Sequence, residues 1–183
     1  MSVRSVGASI TPPVPQYGNL LVAGVLTTAS QFLSAGGIPQ TYRHLRVIIR
    51  NAKSSNTSAS YIQGFVNSSY NNFVTTGLTL DTNSYYPSYS AFWYIGPGRQ
   101  GLMNNTYVPS AAYEITILNY SSTTQTKQGH YIGGGQSAND RNQLNLGAFD
   151  INITSPIVSL GFYVANSWIA GTTLEIYGEG PLT

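Results

Sequence analysis

A chain of 183 residues can bury a substantial core, yet only 8% of these residues are charged, against roughly a quarter in ordinary soluble domains. Its net charge of +2 comes from 8 basic and 6 acidic side chains scattered along the sequence, so no continuous basic stripe is present for nucleic acid. With no cysteine, disulfides and thiolate metal sites are excluded, and stability has to come from packing or assembly.

Residues 1–18 read as an extended arm. Pro12, Pro13 and Pro15 lack backbone donors and push their neighbours toward polyproline geometry, so this piece cannot join a central strand. It either lies on a partner or forms a free tail. The start lacks the apolar core of a secretory signal, and the longest apolar run, 20–26, is too short to span a bilayer, so no membrane role is expected. That run is continuous rather than alternating; Gly24, Thr27 and Thr28 favour a strand over a buried helix. Gly36, Gly37 and Pro39 then turn the chain.

Residues 41–51 give the clearest strand, with Leu45, Val47 and Ile49 on one side and His44, Arg46, Ile48 and Arg50 on the other. A polar loop over 54–60 leads to a second strand over 61–67, close enough to suggest a hairpin or a Greek-key neighbour. Residues 68–113 are irregular and aromatic, with a strand expected over 88–95 that ends at Gly96-Pro97-Gly98. Regular alternation returns at Tyr113, Ile115 and Ile117. It continues over 124–132, closed by Gly133, Gly134 and Gly135, and then over 143–153, 157–164 and 174–177. About eight strands separated by turn signals predict one domain over 19–183, an all-β antiparallel β-sandwich of jelly-roll type.

Chemistry-bearing constellations are sparse. His44 and His130 lack a surrounding ligand set. Arg43, Arg46 and Arg50 divide between the two faces of a strand and give no phosphate footprint. Among Asp81, Glu114, Asp140, Asp150, Glu175 and Glu179, only Glu114 and Glu175 lie in strands that could oppose each other, as glycoside hydrolysis requires. No Gly-x-Ser-x-Gly elbow occurs, and Gly133-Gly134-Gly135 lacks the Lys-Ser/Thr of a phosphate loop and reads as a flexible strand connection. Five Asn-x-Ser/Thr triplets are expected by chance in so Asn- and Ser-rich a chain. The expectation is a protein without catalytic residues, cofactor or metal. Tyr85, Tyr86, Tyr89, Trp93 and Tyr94 could pack a subunit interface or stack on sugars, since Tyr and Trp serve both tasks.

Three stretches carry a family resemblance. They are Thr41-Tyr42-Arg43-His44-Leu45 and the strand that follows, Asn119-Tyr120-Ser121-Ser122-Thr123 ahead of Lys127, and Gly171-Thr172-Thr173-Leu174-Glu175-Ile176-Tyr177-Gly178. Their order resembles that in a loosely defined group of small structural proteins of tailed-bacteriophage particles, with Ile176 in place of the usual Leu. The resemblance covers most of 41–178 and none of 1–40. It implies a jelly-roll-like sandwich, often a homotrimer, assembled in the host cytoplasm into the virion. The implied task is capsid decoration or cementing, with the major capsid protein as partner and other head or tail proteins as further contacts. Pro12, Pro13, Pro15 and Tyr17 would then lie on the coat. The alternative is a tail or fibre adhesin that binds host-surface polysaccharide through the aromatic residues.

Overall fold

A computed structural model describes residues 19–53, 62–70, 73–81, 85–90, 94–95, 111–136 and 142–181. The arm, with Pro12, Pro13, Pro15 and Tyr17, lies outside these residues, as does Trp93. The regular elements are β1 (Asn19–Val25), β2 (Ser30–Gly36), β3 (Tyr42–Ala52), β4 (Ile62–Val66), β5 (Phe73–Asp81), β6 (Tyr85–Ser90), β7 (Tyr94–Ile95), β8 (Ala111–Leu118), β9 (Lys127–Gln136), β10 (Asn142–Ile151), β11 (Ser159–Trp168) and β12 (Thr173–Pro181). An eight-stranded sheet runs β1-β12-β3-β8-β9-β10-β5-β6, and a four-stranded sheet runs β2-β11-β4-β7. All neighbours pair antiparallel. The chain is thus an all-β protein built as a sandwich of two unequal antiparallel sheets.

Period-2 alternation produces this arrangement, because every second side chain of a strand meets the same face. Leu45, Val47 and Ile49 of β3, Tyr113, Ile115 and Ile117 of β8, and Leu174 and Ile176 of β12 point inward from the large sheet. Ile62 and Val66 of β4 and Leu160, Phe162 and Val164 of β11 point inward from the small one, and all belong to one buried cluster. Each such side chain stabilises the fold by about 1.5–3 kcal/mol through removal of apolar surface from water. Trp168 closes the cluster, its indole N–H donating to the Phe162 carbonyl at 3.4 Å.

Four local expectations change. The strands over 41–51 and 61–67 are not partners: β3 lies between β12 and β8, whereas β4 pairs with β11 and β7 in the other sheet. The expected strand over 88–95 is two strands in different sheets, β6 and β7. Residues 73–81 and 85–87, within a stretch expected to be irregular, belong to the paired strands β5 and β6; Thr75, a buried polar residue facing inward, weakens the alternation that would have announced β5. Finally, Gly133, Gly134 and Gly135 are not a flexible connection. They lie within β9, paired with Tyr113 and Ala112 of β8 and with Asn145, Leu144 and Gln143 of β10.

Those glycines have a packing cause. A Cβ on Gly133 would stand 2.3 Å from the ring of Tyr113, its direct cross-strand partner. The same pairing of a ring over a glycine recurs at Tyr131 on Gly147, Phe149 on Gly129 and Phe65 on Gly161. Large rings can lie flat against the backbone only where the opposing residue has no side chain. Glycine in these strands therefore marks seats for aromatic rings, not breaks.

Candidate functional site

At one end of the large sheet the start of β3, the turn after β8 and Gly178 of β12 come together. Tyr42 lies over Gly178, where a Cβ would come within 2.3 Å of the ring. Its hydroxyl accepts a hydrogen bond from the Asn19 side-chain amide at 2.6 Å. The Ser121 hydroxyl donates to the Tyr42 carbonyl at 2.8 Å, and the buried Tyr120 hydroxyl donates to the Pro39 carbonyl. Asn119 takes the left-handed conformation at φ 55°, which Asn tolerates better than most side chains, and its N–H donates to His44 Nδ1 at 3.1 Å. Lys127 is fully buried; its ammonium donates to the carbonyls of Ser122 at 2.7 Å, Gln125 at 3.0 Å and Thr154 at 2.7 Å. Burial lowers its pKa. At the opposite end of the sheet the Thr172 hydroxyl lies near the carbonyls of Asn51 at 3.1 Å and Ile169 at 3.0 Å. These residues hold backbone corners together.

The outer face of the large sheet has two zones. The first is ionic. Arg46 on β3 reaches Glu114 on β8 at 2.6 Å and Glu179 on β12 at 3.8 Å, while Arg50 reaches Glu175 at 3.4 Å. The Tyr177 hydroxyl donates to the same Glu175 carboxylate at 3.0 Å. Glu114 and Glu175 flank Ile48 in register, one on each neighbouring strand. Two strand spacings separate their backbones by about 10 Å. Each is engaged by its own arginine, which is not the arrangement of an acid–base pair facing across a cleft. His44 belongs to this zone, and its pKa is lowered by burial and then by the Arg43 charge, against an opposing pull from Glu179. Among the described residues no cluster of His, Asp or Glu could hold a metal ion.

The second zone is apolar. Across β9, β10 and β5 the outer face carries two adjoining depressions of about 410 and 590 Å³ that share Thr76, His130 and Ala148. Ile132 and Leu146, direct cross-strand partners, line the larger. Ile132 is 49% exposed and the neighbouring Leu144 39%, high values for aliphatic side chains on a sheet. Gln128, His130 and Asp150 supply the polar groups of the smaller depression.

The outer face of the small sheet is aromatic. Phe32, Phe65, Tyr70 and Tyr163 form a closed circuit of ring contacts with centroid separations of 6.2, 4.9, 6.4 and 5.3 Å. Strands β2, β4, β7 and β11 contain no Asp, Glu, Lys or Arg.

The aromatic residues singled out from sequence are distributed over both sheets. Tyr85, Tyr86 and Tyr89 lie on β6, the edge strand of the large sheet, with Tyr86 on the opposite register parity from the other two. Tyr94 lies on β7 of the small sheet, half-buried and opposite Gln63. Sequence reasoning missed Phe32, Phe65, Tyr70 and Tyr163 as a group. Their spacing in sequence is wide, and only the pairing of β11 with both β2 and β4 brings them together. No family model matches the chain, and comparisons with curated proteins and with solved structures return no match.

Proposed function

We propose that the chain is a structural protein of a tailed-bacteriophage particle, a capsid decoration or cement protein that binds the coat lattice. The observation that carries this reading is the apolar zone of the large sheet, where Ile132, Leu144 and Leu146 adjoin depressions with little charge. A monomer that leaves such side chains in water is built to cover them with protein, and the core of a protein interface is depleted of charge in the same way. In this reading the coat protein seats on the β9–β10–β5 face, residues 1–17 reach along neighbouring coat subunits, and three copies associate. Symmetry multiplies individually weak contacts into firm attachment.

Co-sedimentation with empty shells of the cognate coat protein tests the reading. The intact chain is expected to bind saturably, and Ile132→Asp with Leu146→Asp to lose binding by tenfold or more while retaining its fold. Each new carboxylate would have to be desolvated against an apolar partner. Unchanged binding by that variant overturns the assignment of the face. A tail or fibre adhesin is the second reading, favoured by the uncharged aromatic face of the small sheet.

A further inference from the structure

The outer face of the four-stranded sheet has an order that goes beyond an aromatic cluster. Tyr163 of β11 is the direct partner of Phe32 on β2 and of Gln63 on β4, and Gln63 is the direct partner of Tyr94 on β7. Phe32, Tyr163, Gln63 and Tyr94 therefore form one lateral row across all four strands. Three strand spacings make this row about 14 Å long. In the adjacent row Ser34 and Phe65 flank Gly161, and a Cβ on Gly161 would lie 2.2–2.8 Å from three atoms of the Phe65 ring. The ring thus lies down on the sheet, with Tyr70 beside it at 4.9 Å. Burial raises the pKa of the Tyr70 phenol, and the neighbouring Tyr163 raises it further. Phe32 stands at the open end of the row, 45% exposed.

We infer that this row is a binding site for a neutral oligosaccharide, with Phe32 and Tyr163 under the apolar faces of the sugar rings and Gln63 and the Tyr hydroxyls at its hydroxyl edge. Three properties of the sheet select that ligand. The sheet has no charged residue to meet a phosphate, carboxylate or basic side chain. The row mixes aromatic carbon with amide and phenol groups, as a ligand with C–H faces and O–H rims requires. Its extent across the strands fits an extended chain of linked rings better than one small molecule. The site is on the opposite sheet from the proposed coat-binding face, so a particle-bound copy would keep it available.

Saturation-transfer NMR with maltohexaose, cellohexaose, mannohexaose and a galactose hexamer tests the inference, with a heparin hexasaccharide as the anionic comparison. At least one neutral hexamer is expected to receive saturation through its ring C–H protons, with little change when salt is raised. Phe32→Ala is expected to weaken that binding about tenfold, the loss of one stacking face. Tyr163→Phe, which keeps the ring and the fold, should weaken it less. Ile132→Asp should leave it intact even if it abolishes shell binding, so failure of the coat-binding assignment and failure of this one are separable. Absence of transfer to every neutral hexamer, preference for the heparin fragment, or binding unaffected by Phe32→Ala would each overturn the inference.

Discussion

Replacement of Gly133 by Ala separates two readings of the glycine run by the sign of its effect. In a flexible connection, alanine would stabilise the protein by about 0.4–1 kcal/mol, because it restricts the unfolded chain. Within β9 the result reverses. The new Cβ would lie 2.3 Å from Tyr113 Cδ1 and 2.4 Å from the Ala112 carbonyl oxygen. Tyr113 cannot swing aside freely: it is buried, and its hydroxyl accepts a hydrogen bond from the Asn145 amide at 3.3 Å. Overpacking of this kind costs about 1–3 kcal/mol. For a domain of this size a loss near 2 kcal/mol lowers Tm by about 4–8 °C. Thermal unfolding followed by circular dichroism measures it, with Gly24→Ala on edge strand β1 as the control. Nothing stands within 4 Å of a Cβ there, and that variant should match or slightly exceed the wild type. A Gly133→Ala protein with unchanged or raised Tm would refute the account of glycines as ring seats.

Two further substitutions test the corner formed by the start of β3, the turn after β8 and the start of β9. Lys127→Met keeps the length of the side chain but leaves three carbonyls without their donor, so a loss of about 3 kcal/mol is expected. A urea midpoint that moves by the equivalent of less than 1 kcal/mol at constant m-value would contradict the role assigned to Lys127. His44 has a folded pKa below its ordinary 6.5, so the unfolded chain takes up the proton first as pH falls. Its contribution is complete above that pH and is lost below it, because a protonated Nδ1 cannot accept from the Asn119 N–H. His44→Gln should flatten this limb of a stability-against-pH curve, and an unaltered limb would assign the acid sensitivity elsewhere.

The class of fold was legible because alternation is a local property. Leu45, Val47 and Ile49 report their own burial without reference to any other strand, and so do Tyr113, Ile115 and Ile117. What was not legible is long-range. Nothing local to 41–67 shows that β3 and β4 go to different sheets, and nothing local to 88–95 shows that β6 and β7 do. Glycine misled for a definite reason: taken alone it signals a turn, and only the ring of a residue fifteen or more positions away makes it a strand residue. The candidate site suffers the same limit. Tyr94 could be picked out as an aromatic in a polar region, but its place at the end of a row with Gln63, Tyr163 and Phe32 follows from cross-strand register alone.

The distribution of charge ties these faces to one design. A chain with so few ionic groups could have spread them evenly for solubility, yet five of them are drawn into one patch across β12, β3 and β8, where Arg46 and Arg50 pair with Glu114, Glu175 and Glu179. Exposed pairs of this kind stabilise a fold by about 1 kcal/mol or less, so stability is a weak reason for the grouping. Its larger consequence lies elsewhere: among the described residues the depressions on the β9–β10–β5 face are lined by just two titratable side chains, His130 and Asp150, and strands β2, β4, β7 and β11 contain no Asp, Glu, Lys or Arg. Contacts made through such surfaces require little desolvation of charge and gain little from Coulomb attraction, so they hold across a wide range of ionic strength. The apolar zone lies on the large sheet and the aromatic circuit on the small one, so the binding proposed for each face can be tested by substitutions that leave the other untouched.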